Sequence, residues 1–242
     1  PDLAAFRARA SAAGVLLDFD GTLAEIVDRP HRARPVEGTR EVLAALVRAF
    51  RVVAVITGRR SEEAAALLEV PGVSFAGLYG MQEAAPELLA SVAPLVASAV
   101  AVVPEAWAED KGVSVAVHYR QAPDPAAARR KLVVALQNVA TENGLELVEG
   151  KMVIELVPPD RPMKGATIER IAGESALEAV LYAGDDVADL DGFAGLDRLE
   201  HRGLFVVRVA VRGAETPQAL LDRADIAVEG PVGLVELLRQ LA

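Results

Sequence analysis

The sequence has no cysteine, and aromatic residues make up only 4% of its 242 positions. Without cysteine, disulfides, thiolate metal sites and thiol nucleophiles are excluded, and a reducing, cytoplasmic location is predicted. The hydrophobic content of 52% is nevertheless ample for a large buried core. These totals indicate a globular protein.

Positive charge is scarce: 25 Lys and Arg face 35 Asp and Glu, which gives a net charge of -10. No segment concentrates basic residues, so nucleic acid is not an expected partner. The most apolar stretch, residues 88–103, is shorter than a usual membrane span and contains Ser91, Pro94 and Ser98. We therefore expect a monomer that binds neither nucleic acid nor membrane. An acidic protein that binds an anion must gather its few cations locally.

Short β-branched runs alternate with helical patterns at both ends of the chain. The strand-like runs are GVLLDFD, RVVAVITG and GVSFAGLYG near the start, and AVLYAGDD, GLFVVRVAV and DIAVEG near the end. Near-continuous apolar strands of this kind favour a parallel sheet with helices on both faces. The sequence therefore predicts an α/β fold with a Rossmann-like core.

The middle of the chain has a different pattern, α-β-β-α-β-β. Its predicted elements are a helix up to about residue 103, strands at 107–109 and 113–119, a helix at 125–143, and strands at 145–148 and 152–157. Gly112 and Gly150 lie where tight turns would join the strands of each pair, which favours antiparallel hairpins. We predict an α+β cap domain, residues 84–159, inserted into a core made of residues 1–83 and 160–242.

Two aspartates close the first predicted strand, in the run DFDGTL. In an open α/β sheet, ligands bind beyond the carboxyl ends of the strands, where Asp18 and Asp20 are expected. A carboxylate can attack phosphorus and form an acyl phosphate, so Asp18 is the candidate nucleophile. A second acid can protonate the leaving oxygen and then deprotonate water, which is the role predicted for Asp20.

Three further segments are expected at the same edge of the sheet: Thr57-Gly58-Arg59, Met163-Lys164-Gly165, and Asp185-Asp186 with Asp189. Thr57 and the N–H groups near Gly58 can donate to phosphate oxygens, so Gly58 and the neighbouring Arg59 are predicted to bind the substrate, and Lys164 adds a fixed cation. Oxygen-rich acidic clusters favour Mg²⁺ over zinc. Each segment alone is commonly a turn or a helix cap, but four in this order are unlikely to be independent turns. The predicted metal ligands are Asp18, the carbonyl of Asp20, Asp185, Asp186 and Asp189.

As a set, DFDGT, VITGR, Lys164-Gly165 and GDDVAD resemble the four motifs of the haloacid-dehalogenase superfamily. The resemblance implies Asp18 as nucleophile, Asp20 as acid and base, and Thr57 and Lys164 as phosphate ligands. It also implies Mg²⁺ as the cofactor. Which of the three late aspartates contacts the metal directly, and which acts through water, stays open.

The similarity continues through the cap to the trehalose-6-phosphate phosphatase branch of that superfamily. The shared segments are LLDFDGTL, ITGR, GLYG, EDKGVSVAVHYR, EGKMVIEL, MKG and GDDVADLDGF. The resemblance implies hydrolysis of a disaccharide phosphate, trehalose 6-phosphate, through an aspartyl-phosphate intermediate. The residues implied to hold the sugar and help position its phosphate are Glu109, Lys111, Arg120, Gly150, Lys151 and Glu155.

The chain departs from that branch at three positions. Ala188 and Leu190 stand where Thr and Glu are usual, and Tyr79 stands where His is usual. These departures keep a second substrate open, another glycosyl or cyclitol phosphate. Two further alternatives are a phosphosugar mutase and a non-catalytic sugar-phosphate sensor. In the cap, paired Lys and Glu side chains are ordinarily surface ion pairs, and His118 is expected to be structural.

Overall fold

A computed structural model describes residues 2–80, 86–159 and 163–242, without the side chains of residues 86–89. The chain divides into two compact units, a core unit of Pro1–Gly80 with Pro162–Ala242 and an inserted unit of Met81–Arg161. The predicted domain junctions involve residues 83, 84 and 160, which lie outside the described part of the chain, so these junctions stay predictions.

Helices and strands alternate along most of the described chain. The strands are β1 (Ala13–Leu17), β2 (Val52–Ile56), β3 (Ser74–Ala76), β4 (Trp107–Asp110), β5 (Val115–His118), β6 (Glu146–Gly150), β7 (Val153–Val157), β8 (Ala179–Gly184), β9 (Phe205–Arg212) and β10 (Ile226–Glu229). The helices are α1 (Leu3–Arg7), α2 (Thr39–Ala49), α3 (Ser61–Leu68), α4 (Pro86–Val100), α5 (Pro125–Glu142), α6 (Lys164–Glu174), α7 (Val187–His201), α8 (Gln218–Arg223) and α9 (Gly230–Arg239).

The core unit contains a six-stranded parallel sheet in the order β10-β9-β8-β1-β2-β3. Every residue of β1 and β8 is buried. Val15 and Leu17 pack in one apolar cluster, whereas Leu16 between them packs in another. Because successive side chains point to opposite faces of a strand, both faces of this sheet are covered. The predicted α/β fold with a parallel-sheet core is confirmed.

The register of the central strands brings the sequence motifs to one edge of the sheet. Leu17, the last residue of β1, pairs with Val55 of β2 and Ala183 of β8. Since the three strands run parallel, the residues that follow each of them leave the sheet on the same side. The loops after β1, β2 and β8 are therefore neighbours at the carboxyl edge.

The inserted unit contains an antiparallel sheet in the order β4-β5-β7-β6, with helices α4 and α5, and its elements follow the predicted α-β-β-α-β-β order. Helix α5 begins at Pro125, and the carboxylate of Asp124 accepts a hydrogen bond from the N–H of Ala127 at 2.9 Å. Its buried side chains, Leu132 and Leu136 among them, pack against Ile154 of β7 in a separate core. No helix in the described ranges is long and apolar enough to cross a membrane.

Helix α5 offers a matched pair of substitutions. Leu132 is 0% exposed and Val134 is 69% exposed. Replacing Leu132 by Ala should lower the free energy of unfolding of the inserted unit by about 2–5 kcal/mol, because it leaves a cavity. Replacing Val134 by Ala should change it by less than about 0.5 kcal/mol. Urea denaturation followed by the fluorescence of Trp107, the single tryptophan, measures both; equal effects would contradict this description of the core.

Candidate active site

Asp18 and Lys164 form a buried ion pair at the carboxyl edge of the core sheet. Asp18 directly follows β1, and its N–H donates to the carbonyl of Ala183 at 2.9 Å, which extends the pairing of β1 with β8 by one residue. Lys164 begins helix α6, and its Nζ lies 2.8 Å from Oδ1 of Asp18 and 2.6 Å from Oδ1 of Asp189. The ammonium therefore connects the first motif to the last.

Asp189 organises the loop between β8 and α7. Its Oδ1 accepts hydrogen bonds from Lys164 and from the hydroxyl of Tyr182, at 2.6 Å and 2.5 Å. Its Oδ2 accepts from the N–H groups of Asp185 and Asp186, each at 2.8 Å. Sequence reasoning missed Tyr182, although a tyrosine in the apolar run AVLYAG signals a buried hydroxyl that needs a partner.

The structure brings three of the predicted metal ligands together. Carboxylate oxygens of Asp18, Asp185 and Asp189 all lie within 4.8 Å of one another, and the three residues are buried. The hydroxyl of Thr22 lies 3.3 Å from Oδ2 of Asp18 and from Oδ1 of Asp185. Lys164 balances one of the three negative charges, which leaves two. Charge and oxygen donors both fit a divalent cation.

The main chain around this cluster approaches the carboxylates closely. Gly21 has a φ of +84°, and a Cβ there would lie 1.9 Å from Oδ2 of Asp185. At Gly184 a Cβ would lie 2.2 Å from Cγ of Asp189. Both glycines are therefore needed for the loops to close around Asp185 and Asp189.

Asp186 has a different environment. It is the N-cap of α7, and its Oδ1 accepts a hydrogen bond from the N–H of Val187 at 2.6 Å. Within the part of the chain that the structure describes, its carboxylate is not part of the group formed by Asp18, Asp185 and Asp189. Its contacts are those of a helix cap.

Burial and neighbouring charges shift the titration of this cluster. Burial raises the pKa of Asp18 well above its usual value; Asp189 and Asp185 act in the same direction, and Lys164 opposes them. Burial disfavours the charged form of Lys164, but Asp18 and Asp189 outweigh it and raise the pKa of the lysine. Burial alone would raise the pKa of Asp189, but the charge of Lys164 and the hydrogen bonds that Asp189 accepts outweigh burial and lower this pKa. An additional cation would favour the ionised form of Asp18.

Asp20 points its carboxylate at Arg59. Nε and Nη2 of Arg59 donate to the two oxygens of Asp20, each at 2.7 Å, and Nη1 donates to Glu63. The guanidinium carbon lies 5.2 Å from the centre of the Phe19 ring. The Arg59 side chain is only 6% exposed, whereas those of Asp20 and Glu63 are 37% and 35% exposed. Sequence reasoning missed Glu63, one helical turn from Arg59.

Thr57 lies in the turn that follows β2. Its N–H donates to the carbonyl of Ala76 at 3.1 Å, and its hydroxyl accepts from the N–H of Arg59 at 3.1 Å. The side chain is buried. Gly58, between the two, lies against Tyr79: a Cβ there would be 2.7 Å from the Tyr79 hydroxyl oxygen.

The run GLYG forms a turn in which two consecutive non-glycine residues are left-handed, with φ 53° for Leu78 and 58° for Tyr79. The N–H of Tyr79 donates to the carbonyl of Thr57 at 2.9 Å, and its carbonyl accepts from the Thr167 hydroxyl at 2.6 Å. Nζ of Lys164 lies 5.6 Å from the centre of the Tyr79 ring. The departure at position 79 therefore lies beside the buried lysine.

The other two departures lie on helix α7. Leu190 packs against an apolar cluster of the core unit. Its carbonyl accepts a hydrogen bond from Arg223 at 3.2 Å. Ala188 is partly buried one residue before Asp189.

In the inserted unit, Glu109 and Glu155 lie on the same face of the sheet, because both pair with Ala116 on the strand between them. Glu155 accepts hydrogen bonds through Oε1 from the hydroxyl of Ser114 and from Nζ of Lys111, the latter at 3.4 Å. The side chains of Lys111 and Glu155 are 13% and 10% exposed, so this ion pair is largely buried, unlike an ordinary surface pair. Sequence reasoning missed Ser114.

The remaining predicted residues of the inserted unit lie at the adjacent strand ends. Nε2 of His118 is 2.8 Å from Oε2 of Glu109, and the imidazole stacks on Trp107 with ring centres 4.1 Å apart. Nη2 of Arg120 donates to the carbonyl of Lys151 at 3.0 Å, next to Gly150 at the end of β6.

Comparison with known proteins identifies relatives of this chain. The model of the trehalose-phosphatase family matches residues 16–226. The trehalose-phosphate phosphatase of Mycobacterium avium is 32% identical over an alignment of 249 positions, which covers 94% of this chain and 61% of the relative. That of Mycobacterium leprae is 30% identical over an alignment of 251 positions, which covers 94% of this chain and 57% of the relative. The chain thus spans about three fifths of the length of these curated relatives.

A solved structure has the same fold. The C-terminal domain of the Candida albicans trehalose-6-phosphate phosphatase superposes with a TM-score of 0.81 at 23% identity, over 99% of this chain and 94% of that chain. A haloacid dehalogenase-like hydrolase from Bacteroides thetaiotaomicron superposes with a TM-score of 0.65 at 14% identity, over 96% of this chain and 100% of that chain. Since the family model covers most of its length, the chain belongs to the trehalose-phosphatase family.

Proposed function

We propose that this chain is a magnesium-dependent phosphatase that hydrolyses trehalose 6-phosphate to trehalose and phosphate through an aspartyl phosphate on Asp18. One observation carries the proposal: the buried carboxylate of Asp18 lies 2.8 Å from Lys164, within a group of three acids at the carboxyl edge of the sheet. Membership of the trehalose-phosphatase family supports the substrate.

In the proposed first step, a carboxylate oxygen of Asp18 attacks phosphorus. The bond from phosphorus to the sugar oxygen breaks, and that oxygen takes a proton from Asp20. Lys164 stabilises the negative charge that collects around the transferred group. The hydroxyl of Thr57 and the N–H of Gly58 are the proposed donors to phosphate oxygens.

In the second step, a water molecule attacks phosphorus while Asp20 accepts its proton. The bond from phosphorus to Asp18 breaks, which releases phosphate and regenerates the carboxylate. Asp20 thus ends the cycle protonated, ready to act as the acid of the next one.

Asp18, the carbonyl of Asp20 and Asp185 are the residues that would hold Mg²⁺ directly. Asp189 already accepts two hydrogen bonds on each oxygen, so we assign it to positioning Lys164 and the loop of Asp185. Asp186 is occupied as a helix cap. The ion would supply positive charge to offset that of the phosphate and the nucleophile.

For the sugar, the proposed ligands are the polar residues of the inserted unit: Glu109, Lys111, Arg120, Gly150, Lys151 and Glu155. A largely buried carboxylate and ammonium can bind hydroxyl groups selectively, because a substrate without those hydroxyls leaves them unpaired. A second candidate substrate is another glycosyl or cyclitol phosphate. The contact of Tyr79 with Gly58 and its position beside Lys164 favour that alternative.

Replacing Asp18 by Asn should lower the rate of phosphate release by at least about a thousandfold, because the amide is a poor nucleophile. Release from trehalose 6-phosphate with Mg²⁺ measures the effect, and circular dichroism checks the fold. The control is Asp222→Asn, at an exposed position of α8 that pairs with Gln218. Activity of Asp18→Asn near the parent level would overturn the role of Asp18.

Removal of divalent ions by a chelator should abolish phosphate release, and added Mg²⁺ should restore it. Replacing Asp185 by Asn should raise the Mg²⁺ concentration that gives half-maximal activity by at least about tenfold, since a charged direct ligand is lost and even an outer-shell partner typically contributes about 10–100-fold. Unchanged activity after exhaustive chelation would exclude the proposed metal dependence.

Replacing Glu155 by Gln should lower kcat/KM for trehalose 6-phosphate by about tenfold or more, through the loss of a charged hydrogen-bond acceptor. Hydrolysis of 4-nitrophenyl phosphate should change by less than about threefold, because that ester has no sugar hydroxyls. Glu149→Gln is the matched control, on the neighbouring strand β6 in an exposed pair with Arg129. If both esters lost activity equally in Glu155→Gln, sugar recognition by Glu155 would be refuted.

A further inference from the structure

The contacts of Arg59 differ from those expected of a phosphate ligand. All three nitrogens of its guanidinium donate to carboxylates: Nε and Nη2 to Asp20, and Nη1 to Glu63. One positive charge therefore faces two negative charges. A phosphate group that approached the two remaining N–H groups of this guanidinium would meet the repulsion of both carboxylates.

The Arg59 side chain is also fixed from its other sides. The guanidinium lies over the ring of Phe19, with its carbon 5.2 Å from the ring centre. The N–H of Arg59 donates to the hydroxyl of Thr57, and its carbonyl accepts from the N–H of Leu78 at 2.8 Å. The side chain is nearly buried, so the fork of donors has a defined position before any ligand arrives.

The main chain on the Asp20 side is held by a tight turn. The N–H of Gly21 donates to the carbonyl of Ala24 at 2.7 Å, and Asp20 forms an isolated bridge with Ala24. What the turn leaves undetermined is the orientation of the Asp20 carboxyl, which rotates about its side-chain bonds. Two parallel N–H···O bonds from an arginine fork fix the plane of a carboxyl group, as a single lysine contact cannot.

We propose that Arg59 is a positioning residue, which orients the carboxyl of Asp20 toward the leaving oxygen of the substrate and does not bind the phosphate. Glu63 holds the far side of the guanidinium and keeps the fork directed at Asp20. The inference rests on the proposed function, in which Asp20 donates a proton to the leaving oxygen. It replaces the sequence-based assignment of Arg59 as a substrate ligand.

The test uses the dependence of rate on the leaving group. A sugar oxygen leaves as a strong base and needs a well-placed acid, whereas 2,4-dinitrophenolate leaves readily without one. The ratio kcat/KM is suited to this test because it contains only the steps up to departure of the first product. It therefore excludes the later attack of water, in which Asp20 acts on both substrates alike.

Arg59→Met should lower kcat/KM for trehalose 6-phosphate by about a hundredfold and that for 2,4-dinitrophenyl phosphate by less than about threefold. Asp20 and Glu63 are each about a third exposed, so water can hydrate both carboxylates when the guanidinium is removed. Arg59→Lys keeps the positive charge but not the fork of donors. It should lower kcat/KM for trehalose 6-phosphate by about tenfold and again leave that for 2,4-dinitrophenyl phosphate nearly unchanged. If Arg59→Met does not fold, Arg59→Lys tests the inference by itself.

The matched control is Arg170→Met, which removes another arginine that pairs with a glutamate four residues later, Glu174, on the exposed side of α6. Both rates should stay within about twofold of the parent. Equal losses on the two esters in the Arg59 variants, with a raised KM, would identify Arg59 as a phosphate ligand and overturn the inference. A parent protein that hydrolyses neither ester would instead refute the proposed function.

Discussion

The ammonium of Lys164 lies between the carboxylates of Asp18 and Asp189, and the geometry of the core site depends on this contact. Asp18 follows β1, Asp189 lies in helix α7 beyond β8, and Lys164 begins α6, so one side chain joins three separate segments of the chain. Breaking a buried pair by removing one partner typically costs about 3–5 kcal/mol, because a buried charge is left uncompensated. Lys164 balances one of the three negative charges of the site, and the remaining two fit a divalent cation.

Much of this arrangement follows from the sequence because parallel strands impose it. Near-continuous apolar runs predict strands buried on both faces, and such strands deliver the residues that follow them to a common edge. For that reason Asp18, Thr57 and Asp185 could be expected near one another before any coordinates were known. The α-β-β-α-β-β order of the inserted unit was likewise predictable from its glycine turns and its change of pattern.

Contacts between side chains were less predictable, because they depend on rotamers and on partners distant in the chain. Tyr182, Ser114 and Glu63 carry no motif of their own, yet each orients an acid or a base that does. Arg59 illustrates the limit: its place beside Thr57 in the sequence suggests a phosphate ligand, whereas its side chain turns to Asp20. The position of a residue in the sequence places its backbone, but the packing around its side chain determines where its charged group lies.

The turn at Leu78 and Tyr79 has a consequence for the evolution of this site. Its left-handed backbone is held by main-chain bonds to Thr57 and Arg59 and by the Thr167 hydroxyl, none of which involves the side chain of residue 79. These bonds hold the backbone of residue 79, while its side chain lies against Gly58 and beside Lys164. Natural selection can therefore change the group beside Lys164 most readily to residues that tolerate a left-handed backbone, such as Asn, His or Gly.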